Sequence, residues 1–145
     1  MRYRFVDDVI SLRLGDTPSI EVTKVFEASD DAFSGPSGAH GVPNSLILEL
    51  LATAGGHLIF RRLEGRRLPL LLKAPAVRFE GVARPGERLH ALAELRGLSD
   101  ARDDVMMAET IGEVREGTRQ IATGRFLYAC VEVPAVDLDA WGTGA

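Results

Sequence analysis

One carboxylate on an otherwise apolar helix, one histidine in the glycine-rich loop ahead of it, and the helix start between them are the groups of this chain best placed for chemistry. They lie between Phe33 and Phe60, in FSGPSGAHGVPNSLILELLATAGGHLIF. Glu49 is the carboxylate. Among apolar neighbours it is costly to bury unless paired or neutral, and burial raises its proton affinity, so it could donate near neutral pH. Residues Val42 to Ser45 bring backbone N–H groups to the positive end of the helix dipole, where they could hold an oxygen gaining negative charge. Pro43 supplies none. The loop histidine is His40, in the same glycine-rich loop as Gly38. Two structural alternatives stand beside these roles: His40 as a surface or hydrogen-bonded loop residue, and Glu49 in a buried pair with Arg78 or another arginine.

The helix that must position these groups is marked by several signals. Pro43 suits a first helical turn, and Asn44 and Ser45 can satisfy its other unpaired donors. Leu46, Ile47, Leu48, Leu50, Leu51, Ala52, Ala54, Leu58, Ile59 and Phe60 leave no broad polar face, which predicts a helix enclosed by other structure. Glu49, Thr53 and His57 recur every fourth residue as a narrow polar stripe. His57 lies two turns from Glu49, about 12 Å along the axis, and reads as a packing or interface residue. The Gly55-Gly56 pair costs about 1 kcal/mol per residue against alanine. Its presence predicts close approach of strands or of a second copy of the helix.

The rest of the chain supplies strands. Residues Arg4–Leu14 and Ser19–Glu27 flank the turn Gly15-Asp16-Thr17-Pro18, an opening strand pair. Residues 28–42 form a long loop, of the kind that is more often functional than idle. Four extended segments follow a basic connection, LEGRRLP: Leu70–Glu80, Glu87–Arg96, Val105–Arg115 and Arg119–Val131. Leu89, Ala91, Ala93 and Leu95 share one face of their strand, and His90, Leu92, Glu94 and Arg96 the other. The fold class is therefore α+β, an antiparallel sheet wrapped around one long central helix. A helix from 43 to 60 is about 27 Å long, more than one curved sheet covers, so a partner copy is expected.

At 145 residues, with 46% hydrophobic and 26% charged residues, the chain fits one domain over 1–133 with a C-terminal tail over 134–145. The net charge of -4 argues against general nucleic-acid binding. The longest apolar run is interrupted by Glu49 and His57, short of the roughly 20 residues a membrane span needs. One cysteine, Cys130, and an amino terminus without a signal-peptide core predict a cytoplasmic protein. Three scattered histidines give no metal-site spacing, so no metal or other cofactor is expected.

Four stretches together resemble the 3-hydroxyacyl acyl-carrier-protein dehydratases of the hotdog fold. YRFVDDVISL is similar to the family's opening strand, and VPNSLILELLATAGG to its helix start and catalytic glutamate segment. VRFEGVARPGERL is similar to its strand-turn-strand after the helix, and GTRQIATGRFLYA to its last strand. The family pattern H-F-P-G-x-P-x-x-P-G-x-x-x-x-E, aligned on Glu49, keeps Gly38 and Pro43. Gly35, or Pro36 with one deletion, stands at its histidine, and Asn44 at its later glycine.

The resemblance implies a homodimer, or a hexamer, acting on thioesters of acyl carrier protein or coenzyme A in fatty-acid or polyketide-type metabolism. Dehydration there needs a base at the first carbon, an acid at the hydroxyl and N–H donors for the carbonyl oxygen. Glu49 takes the acid role. His40 is recruited as base, or Glu49 serves both roles through a water, or the chain no longer dehydrates. Phe33, Gly38, Val42, Asn44, Ser45 and Thr53 would line the substrate site. Arg61, Arg62, Arg66 and Arg67 would dock carrier protein or coenzyme A phosphates, or complement the negative end of the helix. Two rival functions share these residues: a thioesterase in which Glu49 activates water, and an inactive acyl-thioester-binding homologue.

Overall fold

Period-two patterning drives the second half of the chain into strands, and the long apolar segment has only their common face to cover. The computed structural model describes residues 5–27, 41–100 and 104–132. In chain order the elements are β1 (Asp8–Arg13), β2 (Ser19–Val25), α1 (Asn44–Arg62), β3 (Arg67–Phe79), β4 (Arg88–Leu98), β5 (Val105–Glu116) and β6 (Arg119–Glu132). The strands form one six-stranded sheet in the order β1-β2-β4-β5-β6-β3, antiparallel throughout. Helix α1 packs on one face of it, which is the hotdog arrangement.

The core lies between α1 and the inward side chains of the sheet. Leu89, Ala91 and Ala93 of β4 face in with Phe126, Tyr128 and Cys130 of β6. From the helix come Ile47, Leu50, Leu51, Ala54, Leu58 and Ile59, each almost fully buried. One contact shows why Gly55 is a glycine. Tyr128 Oη donates to the Ala52 carbonyl at 2.8 Å, and a Cβ on Gly55 would fall 2.5 Å from that oxygen and 2.9 Å from Thr110 Oγ1.

Strand β3 begins at Arg67, three residues before the expected Leu70. Arg67 anchors this start, its guanidinium donating to the carbonyls of Asp104 at 2.7 Å and Cys130 at 3.1 Å and to the Glu132 carboxylate at 3.3 Å. Pro69 and Pro75 are tolerated because β3 is an edge strand, paired only with β6 and irregular between Leu71 and Ala76. Leu70, Leu71 and Leu72 on this edge are 46%, 43% and 56% exposed.

The Cys130 thiol is fully buried, and desolvation pushes its pKa up to about 11 against the opposing pull of Arg67. A protonated, inaccessible thiol is a poor nucleophile. Ellman's reagent is expected to leave the folded protein unlabelled at pH 8 and to label it fully in guanidinium.

Candidate functional site

The start of α1 is held by the chain segment that follows β3. Gly41 adopts a left-handed φ of 106°, and a Cβ there would fall 2.5 Å from Val82 Cγ1 and 2.7 Å from the Ala83 carbonyl oxygen. Val42 donates its N–H to that carbonyl at 2.8 Å and is 5% exposed. Sequence reasoning missed this clamp, although Gly41 directly ahead of a helix start was its local mark. The clamp also corrects one expectation. The Val42 N–H is already bonded and cannot serve a substrate oxygen.

Pro43 is the N-cap, and no side chain caps the helix. Asn44 and Ser45 therefore do not close the helix end with their side chains, as their types suggested. Leu46 and Ile47 both donate to the Pro43 carbonyl. The Asn44 and Ser45 N–H groups remain at the positive end of the dipole, in exposed residues, without an acceptor among the described residues.

Glu49 follows one turn later on the same face as Ser45, about 6 Å along the axis. It is exposed in the single chain, not buried as its apolar setting suggested. The reason is coverage: one sheet screens one side of α1, and Asn44, Ser45 and Glu49 lie on the other. Among the described residues Glu49 has no hydrogen bond or ion pair, so the alternative pair with Arg78 does not form. Arg78 lies on the opposite face of the sheet, beside Thr123. Thr53 is half-buried one turn beyond Glu49.

His57, half-buried one turn further, has its pKa lowered by desolvation and secondarily by Arg61. Folding thus favours its neutral form: stability is full above the ordinary value of 6.5 and is lost as pH falls through the lower folded value. Urea midpoints should fall more steeply for wild type than for His57→Gln just below pH 6.5.

At the other end of α1, Arg61 and Arg62 occupy the last helical turn. A cavity of about 570 Å³ there is lined by Arg62, Glu64, Arg66, Arg67, Met106 and Glu132, among others. Arg67 is committed to the β3–β6 junction, and Arg66 makes an exposed pair with Glu64 at 3.4 Å. From Glu49 to Arg62 is about 20 Å along the helix. His90 lies on the outward face of β4, its Nδ1 2.7 Å from a Glu21 carboxylate oxygen. Among the described residues no three His, Cys, Asp or Glu side chains cluster to hold a metal ion, and no helix is long and apolar enough to cross a membrane. His40, Phe33, Gly38 and the tail from 134 lie outside the described residues.

No protein-family model and no curated protein matches the sequence. Solved structures do match, and they share the hotdog fold. The dehydratase heterocomplex ApeI:P from Xenorhabdus doucetiae has a TM-score of 0.64 at 19% identity, over 93% of this chain and 86% of that one. A hypothetical thioesterase from Streptococcus pneumoniae, solved with coenzyme A, has a TM-score of 0.65 at 10% identity, over 88% and 90%. The fluoroacetyl-CoA-specific thioesterase FlK, in complex with fluoroacetate and coenzyme A, has a TM-score of 0.62 at 17% identity, over 84% and 97%. The chain thus has the hotdog fold, which it shares with proteins described as thioesterases and with a dehydratase.

Proposed function

We propose that this protein is an acyl thioesterase, acting as a homodimer on thioesters of coenzyme A or acyl carrier protein in the cytoplasm. The observation that carries the reading is Glu49: an exposed carboxylate with no partner among the described residues, one turn from the unspent N–H groups of Asn44 and Ser45. Hydrolysis needs only these parts. Glu49 takes a proton from water as its oxygen attacks the thioester carbonyl carbon. The N–H groups hold the resulting oxyanion. Collapse breaks the carbon–sulfur bond, and the leaving thiolate recovers the proton from Glu49, giving free thiol and carboxylic acid.

Dehydration, the expectation drawn from the family resemblance, asks for a second acid–base group where this sequence has Gly35 or Pro36. Thioesterases also figure more often than dehydratases among the similar structures. We therefore place hydrolysis first. Arg61, Arg62 and Arg66 are the cations available to carrier or coenzyme A phosphates; Arg67 is spent on structure.

A partner copy supports the reading on physical grounds. Edge strand β3 carries three consecutive exposed leucines beside unpaired backbone, a surface that monomers rarely leave open. Pairing of β3 with its copy would cover it and enclose the open side of α1. Leu72→Glu should halve the mass seen by sedimentation and abolish thiol release together. The reading itself is tested with saturated acyl-CoA substrates of graded length and Ellman's reagent. Thiol release faster than the uncatalysed rate supports it; none at any length, with either carrier, overturns it.

A further inference from the structure

The sheet face turned away from α1 carries a groove of about 680 Å³, within the range of small-molecule sites. Strand registers make its layout explicit. From β2 to β3, Glu21, Leu92, Glu113, Thr123 and Arg78 are successive cross-strand partners and form one transverse row. Ser19, Glu94, Ile111, Arg125 and Ala76 form the next. The groove lies over both rows, and Arg13 of β1 closes its far end.

The charges of this face are unevenly spent. Each carboxylate is bonded to a group outside the two rows. Glu21 meets His90 at 2.7 Å, Glu94 meets Arg96 at 3.3 Å, and Glu113 meets Arg115 at 3.0 Å and Gln120 at 2.7 Å. Those contacts draw the carboxylates off the centre line and leave Leu92 and Ile111 as its side chains. Arg13, Arg78 and Arg125 line the groove and have no ion-pair partner among the described residues. Arg78 and Arg125 are diagonal neighbours on β3 and β6, with Thr123 beside them.

We propose that this face binds an amphipathic carboxylate, its head held between Arg78 and Arg125 and its alkyl chain laid across Ile111 and Leu92 toward β2. Two adjacent guanidinium groups fit a carboxylate by charge-assisted, bidentate hydrogen bonds. From β6 to β2 is three strand spacings, about 14 Å, room for a medium-length chain. A second copy is a poorer occupant, because the carboxylates it would bring, Glu21, Glu94 and Glu113, are already bonded within the chain. A two-fold axis along β5 would lay Glu21 over Arg78 and Glu94 over Arg125, and sedimentation of the double variant tests that arrangement. The inference is independent of thioester hydrolysis, because it concerns the face opposite Glu49.

The test is calorimetric titration of the full chain with dodecanoate below its micelle concentration, beside acetate and dodecyltrimethylammonium. Dodecanoate should bind, and both controls should bind at least about tenfold more weakly. The double variant Arg78→Gln/Arg125→Gln should lose about tenfold or more in dodecanoate affinity, the scale of one lost charge-assisted contact. Arg125→Lys, which keeps the charge and loses the fork, should fall between. Circular dichroism confirms that the variants fold. Equal binding of dodecanoate by wild type and double variant would overturn the proposal, as would equal binding of either control. A change in sedimentation mass on Arg78→Gln/Arg125→Gln would assign the face to contact between copies and overturn it too.

Discussion

Glu49→Gln should lower kcat for thioester hydrolysis on the order of 10²- to 10⁴-fold, the range of a lost general base. Glutamine keeps the size and hydrogen-bonding capacity of the side chain and removes the proton acceptor. Because Glu49 is exposed and bonded to nothing among the described residues, Tm should stay essentially where it was. KM should change little, since the carboxylate is used on water and not to bind the acyl group. Glu49→Asp separates position from chemistry. A carboxylate drawn back by one methylene should recover part of the lost rate, whereas a packing role would leave the isosteric Gln variant the more active of the two. Steady-state kinetics beside thermal melts give both readouts. A fall in Tm matching the fall in rate would mean that Glu49 holds the fold.

The second large effect sets two adjacent glycines against each other. At Gly55 an added methyl would meet Tyr128 Oη at 2.5 Å and Thr110 Oγ1 at 2.9 Å, both on almost fully buried residues. Overpacking of this kind costs about 1–3 kcal/mol, and displacing Tyr128 also loosens its bond to the Ala52 carbonyl, worth about 1 kcal/mol. The helix-propensity gain of alanine over glycine returns only about 1 kcal/mol. Gly55→Ala should therefore be destabilising by about 2 kcal/mol. At Gly56 the same methyl would meet Pro69 Cγ at 3.8 Å and Tyr128 Cε1 at 3.9 Å, ordinary contact. Only the propensity gain remains, and Gly56→Ala should be stabilising by up to about 1 kcal/mol. Urea unfolding at fixed protein concentration reads both signs. Two shifts in the same direction would contradict the packing assigned to Tyr128.

How far the sequence could be read depends on the range of the forces involved. The face alternation of β4 was legible because it repeats every two residues: Leu89, Ala91 and Ala93 are buried, while His90, Leu92 and Glu94 are not. The close approach at Gly55 was legible because a glycine pair inside an apolar helix has few other causes. The start of β3 was not, because Pro69 and the arginines read locally as a loop, and the bonds of Arg67 come from residues 37 and more positions away. The Val42 N–H looked available for the same reason, its acceptor being the distant Ala83 carbonyl. Glu49 gave the sharpest contrast. A polar stripe on an apolar helix revealed that something meets it, but whether a strand, solvent or a second chain does so depends on how many strands one chain can supply.

The most direct measurement is mass spectrometry of wild-type protein incubated with a medium-chain 3-hydroxyacyl-CoA, a substrate open to either reaction. Hydrolysis through Glu49 predicts free 3-hydroxy acid and an equal amount of free coenzyme A, with no enoyl thioester. An enoyl-CoA product, lighter by one water, with the carbon–sulfur bond intact would contradict it and restore dehydration as the reaction of this site.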